Sequence, residues 1–300
     1  MTARNNPRLG IALMILTSAI FALQDGVSRH LAANYSVMTV VMLRYWFFAA
    51  FVVALSAARG GGVRRVARTA QPALQIFRGV LLAAEICVTV LSFVLLGLIE
   101  THAIFAVYPL LVAALAGPVL GEYVGWRRGV AIAVGLVGVL VILRPGVRVF
   151  SPEALVPLIA ALMFALYALL TRLVARRDSA ETSFFWTGVA GAVSISLVAP
   201  FWWTPIEGAA DMFWMATLCV SGALGHFLLI KVYEVAEAGV VQPFSYFQLV
   251  FVTILAVTLF HERPDLWTVV GAGMILAAGC YALVREAQLR RKPAASDREA

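Results

Sequence analysis

Residues Ile20–Ala32 read IFALQDGVSRHLA, and residues 163–175 read MFALYALLTRLVA. At an offset of 143 they share Phe21/Phe164, Ala22/Ala165, Leu23/Leu166, Arg29/Arg172 and Ala32/Ala175, and Ser28 faces Thr171. Each copy lies at the far end of an apolar run. A second pair of segments repeats the relation from the other direction. GEYVGWRRGVAIAVGLVGVLVIL at 121–143 and HERPDLWTVVGAGMILAAGCYAL at 261–283 are offset by 140. Each places a glutamate, Glu122 or Glu262, just past an apolar run, followed by an aromatic-containing turn and a Gly/Ala-rich stretch. Two motifs in the same order at nearly the same spacing argue for a chain built from two equivalent halves.

Composition sets the environment of those halves. Hydrophobic residues make up 62% and charged residues 13%, where soluble domains hold about half and a quarter. The apolar residues gather into runs of about twenty, the length a helix needs to cross a ~30 Å hydrocarbon core. A membrane β-barrel would show short alternating segments instead. Ten spans can be drawn: 9–31, 36–57, 73–96, 101–120 and 125–143, then 153–174, 182–201, 211–233, 239–260 and 265–285. Five spans per half turn the second half over in the membrane, an arrangement found in secondary transporters. The expected fold is an all-α polytopic membrane protein of ten transmembrane helices in two inverted five-helix repeats, 9–143 and 153–285. A polar, disordered cytoplasmic tail is expected over 286–300.

The net charge of +7 is a topology signal and no sign of nucleic-acid binding. With both termini in the cytoplasm, seventeen of the 23 basic residues lie on the cytoplasmic side and four outside, Arg29, Arg144, Arg148 and Arg263. That asymmetry follows the positive-inside rule and predicts a multi-pass protein of a bacterial inner membrane. Cys87, Cys219 and Cys280 all fall in apolar runs without CxxC spacing, which predicts small buried hydrophobes. The first apolar run carries Asp25 and has a counterpart mid-chain, so it reads as a retained span.

These features resemble the EamA family of the drug/metabolite transporter superfamily over nearly the whole chain. The resemblance rests on the ten-span layout and on Pro109, Gly121–Glu122, Gly129 and Gly138, with a weaker copy at His261–Glu262. It rests also on GHFLLIKVYEVAEAGVVQPFSYFQLVFVTIL from Gly225 to Leu255. It implies transport of metabolites, amino acids, cofactors or drugs, commonly by proton or exchange coupling. One departure is Leu249, which stands where the first half has Pro109.

Charges inside hydrocarbon cost ~2.5–3.5 kcal/mol each on insertion scales, so each needs a reason. Asp25, Arg44, Arg78 and Glu85 fall in spans 1 to 3. Asp25 and Arg44 lie at similar depth, roughly 9–12 Å below the outer surface, where they could pair. Glu85 lies near the bilayer centre and is read either as a proton carrier or as an ion-pair partner of Arg44. Arg78 and Lys231 are expected to snorkel to the cytoplasm. The second half offers His226, Gln242 and Gln248 at comparable depth, with His226 open to a packing or a relay role. Tyr108, Tyr167, Tyr246 and Phe247 could line a cavity for a planar or cationic ligand or simply fill the core. In the opening stretch, Gln24–Asp25 becomes Tyr167–Ala168 in the second copy, the sharpest difference between the halves.

The substrate or coupling candidates are therefore Gln24, Asp25, Arg44, Glu85, Tyr108, Tyr167, His226, Tyr246 and Gln248. The expected function is a secondary transporter, exporter or exchanger, moving a small organic metabolite by alternating access, with protons as candidate coupling ions. No Walker A motif, HExxH, GxSxG or carboxylate–His cluster at helical spacing occurs, so neither ATP-driven transport nor enzyme chemistry is expected. No cofactor or metal is expected. Two alternatives stay open: a membrane scaffold, or a protein handling lipid-linked substrates. Small residues at Gly129, Ala133, Gly135, Gly138, Gly271, Gly273, Ala277 and Gly279 allow close helix packing. That packing reads first as internal, with a homodimer seam as the second reading.

Overall fold

A computed structural model describes residues 6–58, 62–121, 126–143, 152–236 and 242–291, and these form helices and short connections with no strand among them. In chain order the helices are α1 Pro7–Asn34, α2 Val37–Ala58, α3 Gly62–Ala67, α4 Pro72–Phe105, α5 Tyr108–Leu120 and α6 Trp126–Leu143. They continue as α7 Leu155–Val174, α8 Ala180–Val198, α9 Ala209–Val235, α10 Phe247–Leu259 and α11 Leu266–Arg291. Six segments are long and apolar enough to cross a membrane, starting at Arg8, Val37, Pro72, Pro152, Ala180 and Ala209, and three shorter apolar helices accompany them. The outward surface is strongly apolar, with Phe201 82% and Leu197 71% exposed. Such a surface is stable only against lipid, and the chain is a multi-pass membrane protein.

Local chemistry marks the helix ends. Asn6 caps α1 by accepting from the Leu9 N–H at 3.1 Å, and Pro7 stands in the first turn, where its missing N–H costs nothing. Ser179 caps α8 in the same way through Thr182 N–H at 3.1 Å. The decisive interruption is in α4. At 34 residues a straight α4 would be about 51 Å long, well beyond the hydrocarbon core. Gly97 breaks it with φ 82° and ψ 179°, a left-handed φ that glycine tolerates and side chains resist. Phe93 stacks on His102 with ring centroids 5.4 Å apart, whereas nine residues of straight helix rise ~13.5 Å. The chain therefore folds back at Gly97.

Two expectations about span edges are corrected here. Span 4 is interrupted at Ala106–Val107 before α5 begins, and α11 continues as helix through Arg291, so the tail expected from 286 starts inside a helix. Residues 292–300, like Glu122, Arg144 and Arg148, lie outside the described residues.

Packing follows the apolar faces. α4 packs on α7 and α8, α9 on α1 and α2, α10 on α1, α5 on α7, and α2 on α8. α6 packs along α11, and small residues set that contact. A β-carbon at Gly138 would meet the Gly271 carbonyl at 2.8 Å, so the two backbones approach as only small residues permit. Gly129 and Gly273 face open space instead. The main core gathers Tyr45, Phe48, Leu82, Phe93, Phe184 and Val252 from α2, α4, α8 and α10. Cys87, Cys219 and Cys280 are free thiols.

Candidate functional site

Gln24 and Asp25 are consecutive on α1, so their side chains leave the helix about 100° apart and reach different neighbours. The Gln24 Oε1 accepts from Arg44 Nη2 at 3.1 Å. The Asp25 Oδ2 accepts from Gln248 Nε2 at 2.9 Å. His102 Nε2 lies 3.2 Å from the same oxygen, but out of line for a hydrogen bond, and is left without a hydrogen-bond partner. All four of Gln24, Asp25, Arg44 and His102 are buried. One carboxylate thus joins α1, the segment after the Gly97 fold-back and α10.

Glu85 lies on α4, 3% exposed, and accepts from the Thr89 hydroxyl one turn on at 2.7 Å. It feels the charges of Arg44 and Asp25. The ion pairs expected of Arg44 with Asp25 or Glu85 do not form: no ion pair of Arg44 occurs among the described residues. Gln24 is nearer on the facing helix and takes the guanidinium. The site therefore holds two carboxylates and one guanidinium as separate groups.

Arg78 overturns the snorkelling expectation. It is 1% exposed and its guanidinium is fully engaged. Nε and Nη2 donate to Gln75 Oε1 at 3.3 and 2.9 Å, and Nη1 donates to Tyr167 Oη and Thr171 Oγ1, each at 3.2 Å. Nη2 also donates to the Ser183 carbonyl. Neutral partners on α7 and α8 come within reach because both helices pack on α4, and saturated donors have no need of water. Lys231 lies along α9 with its ammonium 5.7 Å from the Phe227 ring.

An aromatic row runs beside these groups. Phe93 stacks on His102, which meets Phe105 edge-on at 6.2 Å. Phe105 touches Tyr108 and Phe164 at 5.4 and 5.5 Å, and Phe164 reaches Tyr167 at 6.0 Å. Tyr108 and Tyr167 thus belong to one surface, ending at Arg78 over the Tyr167 ring. His226 packs edge-on to Phe21 and stacks on Phe48 at 5.4 and 5.9 Å, where it feels the charge of Arg44. Tyr246 packs on the same core cluster as Phe105 and Tyr108 and lies against α11 at Gly279, and its hydroxyl has no hydrogen-bond partner among the described residues. Phe247 is stacked with Phe244 and 41% exposed. The Gln242 side chain lies outside the described residues.

Both ends of the bundle are tied by polar clasps. At one end Tyr35 Oη donates to Asp211 Oδ2 at 2.8 Å, His30 Nε2 is 3.2 Å from Oδ1, and Ser36 N–H donates to Thr204 Oγ1 at 3.0 Å. At the other end Asp178 accepts from the Thr69 hydroxyl at 2.5 Å and from Ala70 N–H and Gln75 Nε2, each at 2.9 Å. Desolvation pushes the Asp178 carboxyl up, but those bonds and the Arg78 charge outweigh it and hold the carboxyl below its usual range. Glu262 forms a third tie. Its carboxylate accepts from Leu98 and Ile99 N–H at 2.9 and 3.0 Å and pairs with Arg29. Those N–H groups are free because Gly97 starts a new helical segment there.

The sequence did not single out His102 or Gln75, and it marked Phe164 only as a shared residue of the repeat. His102 reaches Asp25 only through the fold-back, and Gln75 meets Asp178 across more than a hundred residues of chain. No local spacing carries either signal.

A buried carboxylate links α1, the fold-back and α10, beside an aromatic row and between polar clasps at both ends. The model of the EamA-like transporter family matches residues 8–144 and again 152–284. The chain belongs to the EamA-like transporter family. Its members are transporters, and this protein is a transporter and not an enzyme. It is 26% identical over 281 residues to the S-adenosylmethionine uptake transporter of Rickettsia prowazekii, covering 92% of this chain and 93% of that one. It is 25% identical over 298 residues to the riboflavin transporter of Vibrio cholerae, covering 97% and 98%. A solved crystal structure superposes with a TM-score of 0.65 at 19% identity, covering 95% of this chain and 99% of that one. That last likeness is one of fold.

Proposed function

We propose that this chain is a secondary active transporter of a small organic metabolite in a bacterial inner membrane, working by alternating access of two inverted five-helix repeats. The observation that carries the proposal is Asp25, which joins elements of both halves at a buried site inside a transporter-family fold. Several packing relations support the inverted repeat. Exchanging the halves turns the α1–α9 contact into α7–α4, α2–α9 into α8–α4, and α1–α10 into α7–α5, while α6–α11 and α2–α8 map onto themselves. Tyr35 and Asp178, 143 residues apart, each clasp a loop of the other half, at the Glu207 carbonyl and at Thr69.

Ten spans with both termini in the cytoplasm fit the distribution of basic residues. Asp178 is then on the cytoplasmic face and Tyr35 on the outer one. The relatives named above are a riboflavin transporter and an uptake transporter, which favours uptake or exchange over the export expected from the sequence. Both named substrates carry a flat heteroaromatic ring on a hydroxylated sugar or sugar-alcohol group. The row Phe105, Tyr108, Phe164 and Tyr167 offers ring faces to such a ligand. Glu85 and Asp25 are the proposed proton carriers, because a carboxyl in a low-dielectric site can bind a proton near neutral pH.

The test is uptake of labelled S-adenosylmethionine and riboflavin into proteoliposomes under an imposed pH gradient. Gradient-dependent accumulation of either one is expected. Absence of flux and counterflow across a metabolite library sinks the transporter proposal. Full pH-driven flux in both Glu85→Gln and Asp25→Asn removes those residues as carriers.

A further inference from the structure

We infer that Arg44 is an anion subsite of the transport path and receives a carboxylate group of the substrate. The inference rests on the transporter proposal and goes beyond it by naming a chemical feature of the substrate. Arg44 is 6% exposed and makes one hydrogen bond, to Gln24, although a guanidinium carries five N–H donors. No acidic group lies within ion-pair distance of it among the described residues. Asp25 is taken by Gln248 and Glu85 by Thr89. A buried guanidinium with a single hydrogen-bond partner is costly and calls for a reason, which a bound anion would supply.

Glycine at position 222 keeps a side chain away from the guanidinium. Gly222 on α9 faces the guanidinium, and a β-carbon there would lie 2.9 Å from Arg44 Nε and 3.3 Å from Gln24 Oε1. Gln24 holds one edge of the planar fork, leaving the other donors free for bidentate recognition. A neighbouring carboxylate decides the charge of the occupant. Asp25 acts electrostatically across the same site, so a phosphate dianion is opposed by that carboxylate more strongly than a carboxylate monoanion is.

The experiment compares wild type, Arg44→Gln, Arg44→Lys and Gly222→Ala as purified full-length proteins. Three probes are used: S-adenosylmethionine, its decarboxylated analogue and riboflavin. Binding is read by isothermal titration, and ligand-free stability by thermal unfolding. The subsite predicts that wild type binds S-adenosylmethionine at least tenfold tighter than the decarboxylated analogue. It predicts that Arg44→Gln abolishes that preference while melting no lower than wild type, since an unpaired buried charge has been removed. Arg44→Lys and Gly222→Ala should each weaken carboxylate binding, the first because an ammonium lacks the planar fork. A drop in the ligand-free melting point of Arg44→Gln, equal affinity of wild type for the two analogues, or unchanged S-adenosylmethionine binding in Arg44→Gln overturns the subsite. So does wild type that binds riboflavin alone, a result that leaves the transporter proposal standing. Failure of flux for every compound removes both.

Discussion

Arg44 and Arg78 are both buried arginines in the first half of the chain, and their surroundings differ completely. Arg78 donates to Gln75, Tyr167, Thr171 and the Ser183 carbonyl, so each part of its fork is engaged. Arg44 has Gln24 alone. Burial by itself therefore does not tell a structural charge from a functional one; saturation of its donors does. Arg78 stitches α4 to α7 and α8, whereas Arg44 keeps donors in reserve.

The contrast breaks most visibly at Arg78. Arg78→Gln strands Tyr167, Thr171 and the Ser183 carbonyl and should cost about 1–3 kcal/mol for each buried polar group left without a partner. The check is thermal unfolding in detergent, where Arg78→Gln falls far below Arg44→Gln. Equal melting points for the two variants would erase the distinction drawn here. Asp25→Asn should come next. It keeps the shape and the Gln248 contact but removes the charge, so pH-driven flux should fall at least tenfold while the melting point stays near wild type.

Gly97→Ala probes the fold-back that brings His102 to Asp25. It meets both an unfavourable left-handed φ and the Glu262 carboxylate at 2.6 Å. A loss of roughly 1–3 kcal/mol is expected, read by thermal unfolding, and Glu262→Gln should share part of it by weakening the cap on Leu98 and Ile99. The smallest effect belongs to Asp178. Its carboxyl is held below the ordinary value near ~3.9, so its stabilisation is complete above that pH and disappears as pH falls through the depressed folded value. Asp178 is largely solvent-screened, so its clasp contributes less than about 1 kcal/mol. The melting-point gap between wild type and Asp178→Asn should be constant well above pH ~3.9 and shrink as the pH falls below it, and a gap that widens on acidification contradicts this.

Much of the architecture was legible from residue order. Apolar runs of bilayer length, the recurrence of IFALQDGVSRHLA at 163–175 and the closing Glu122 and Glu262 motifs all led to a membrane transporter. The difference Gln24–Asp25 against Tyr167–Ala168 also located real chemistry. Gln24 and Asp25 hold two separate polar contacts, and Tyr167 accepts from Arg78 in the other half. Partner assignments were less legible. The snorkelling Arg78 and the Arg44 ion pairs both failed, because each depends on which way a helix is turned.

Hydrophobic length and charge placement are properties of the chain, since a bilayer filters for them before any helix meets another. They determined that this protein crosses a membrane and carries embedded charge in its first half. Tertiary structure alone decided that Gly97 folds the chain back and that His102 thereby reaches Asp25. It alone saturated Arg78 and left Arg44 with one bond. Those outcomes rest on contacts between residues twenty to more than two hundred positions apart, whose energies exist only once the helices have packed.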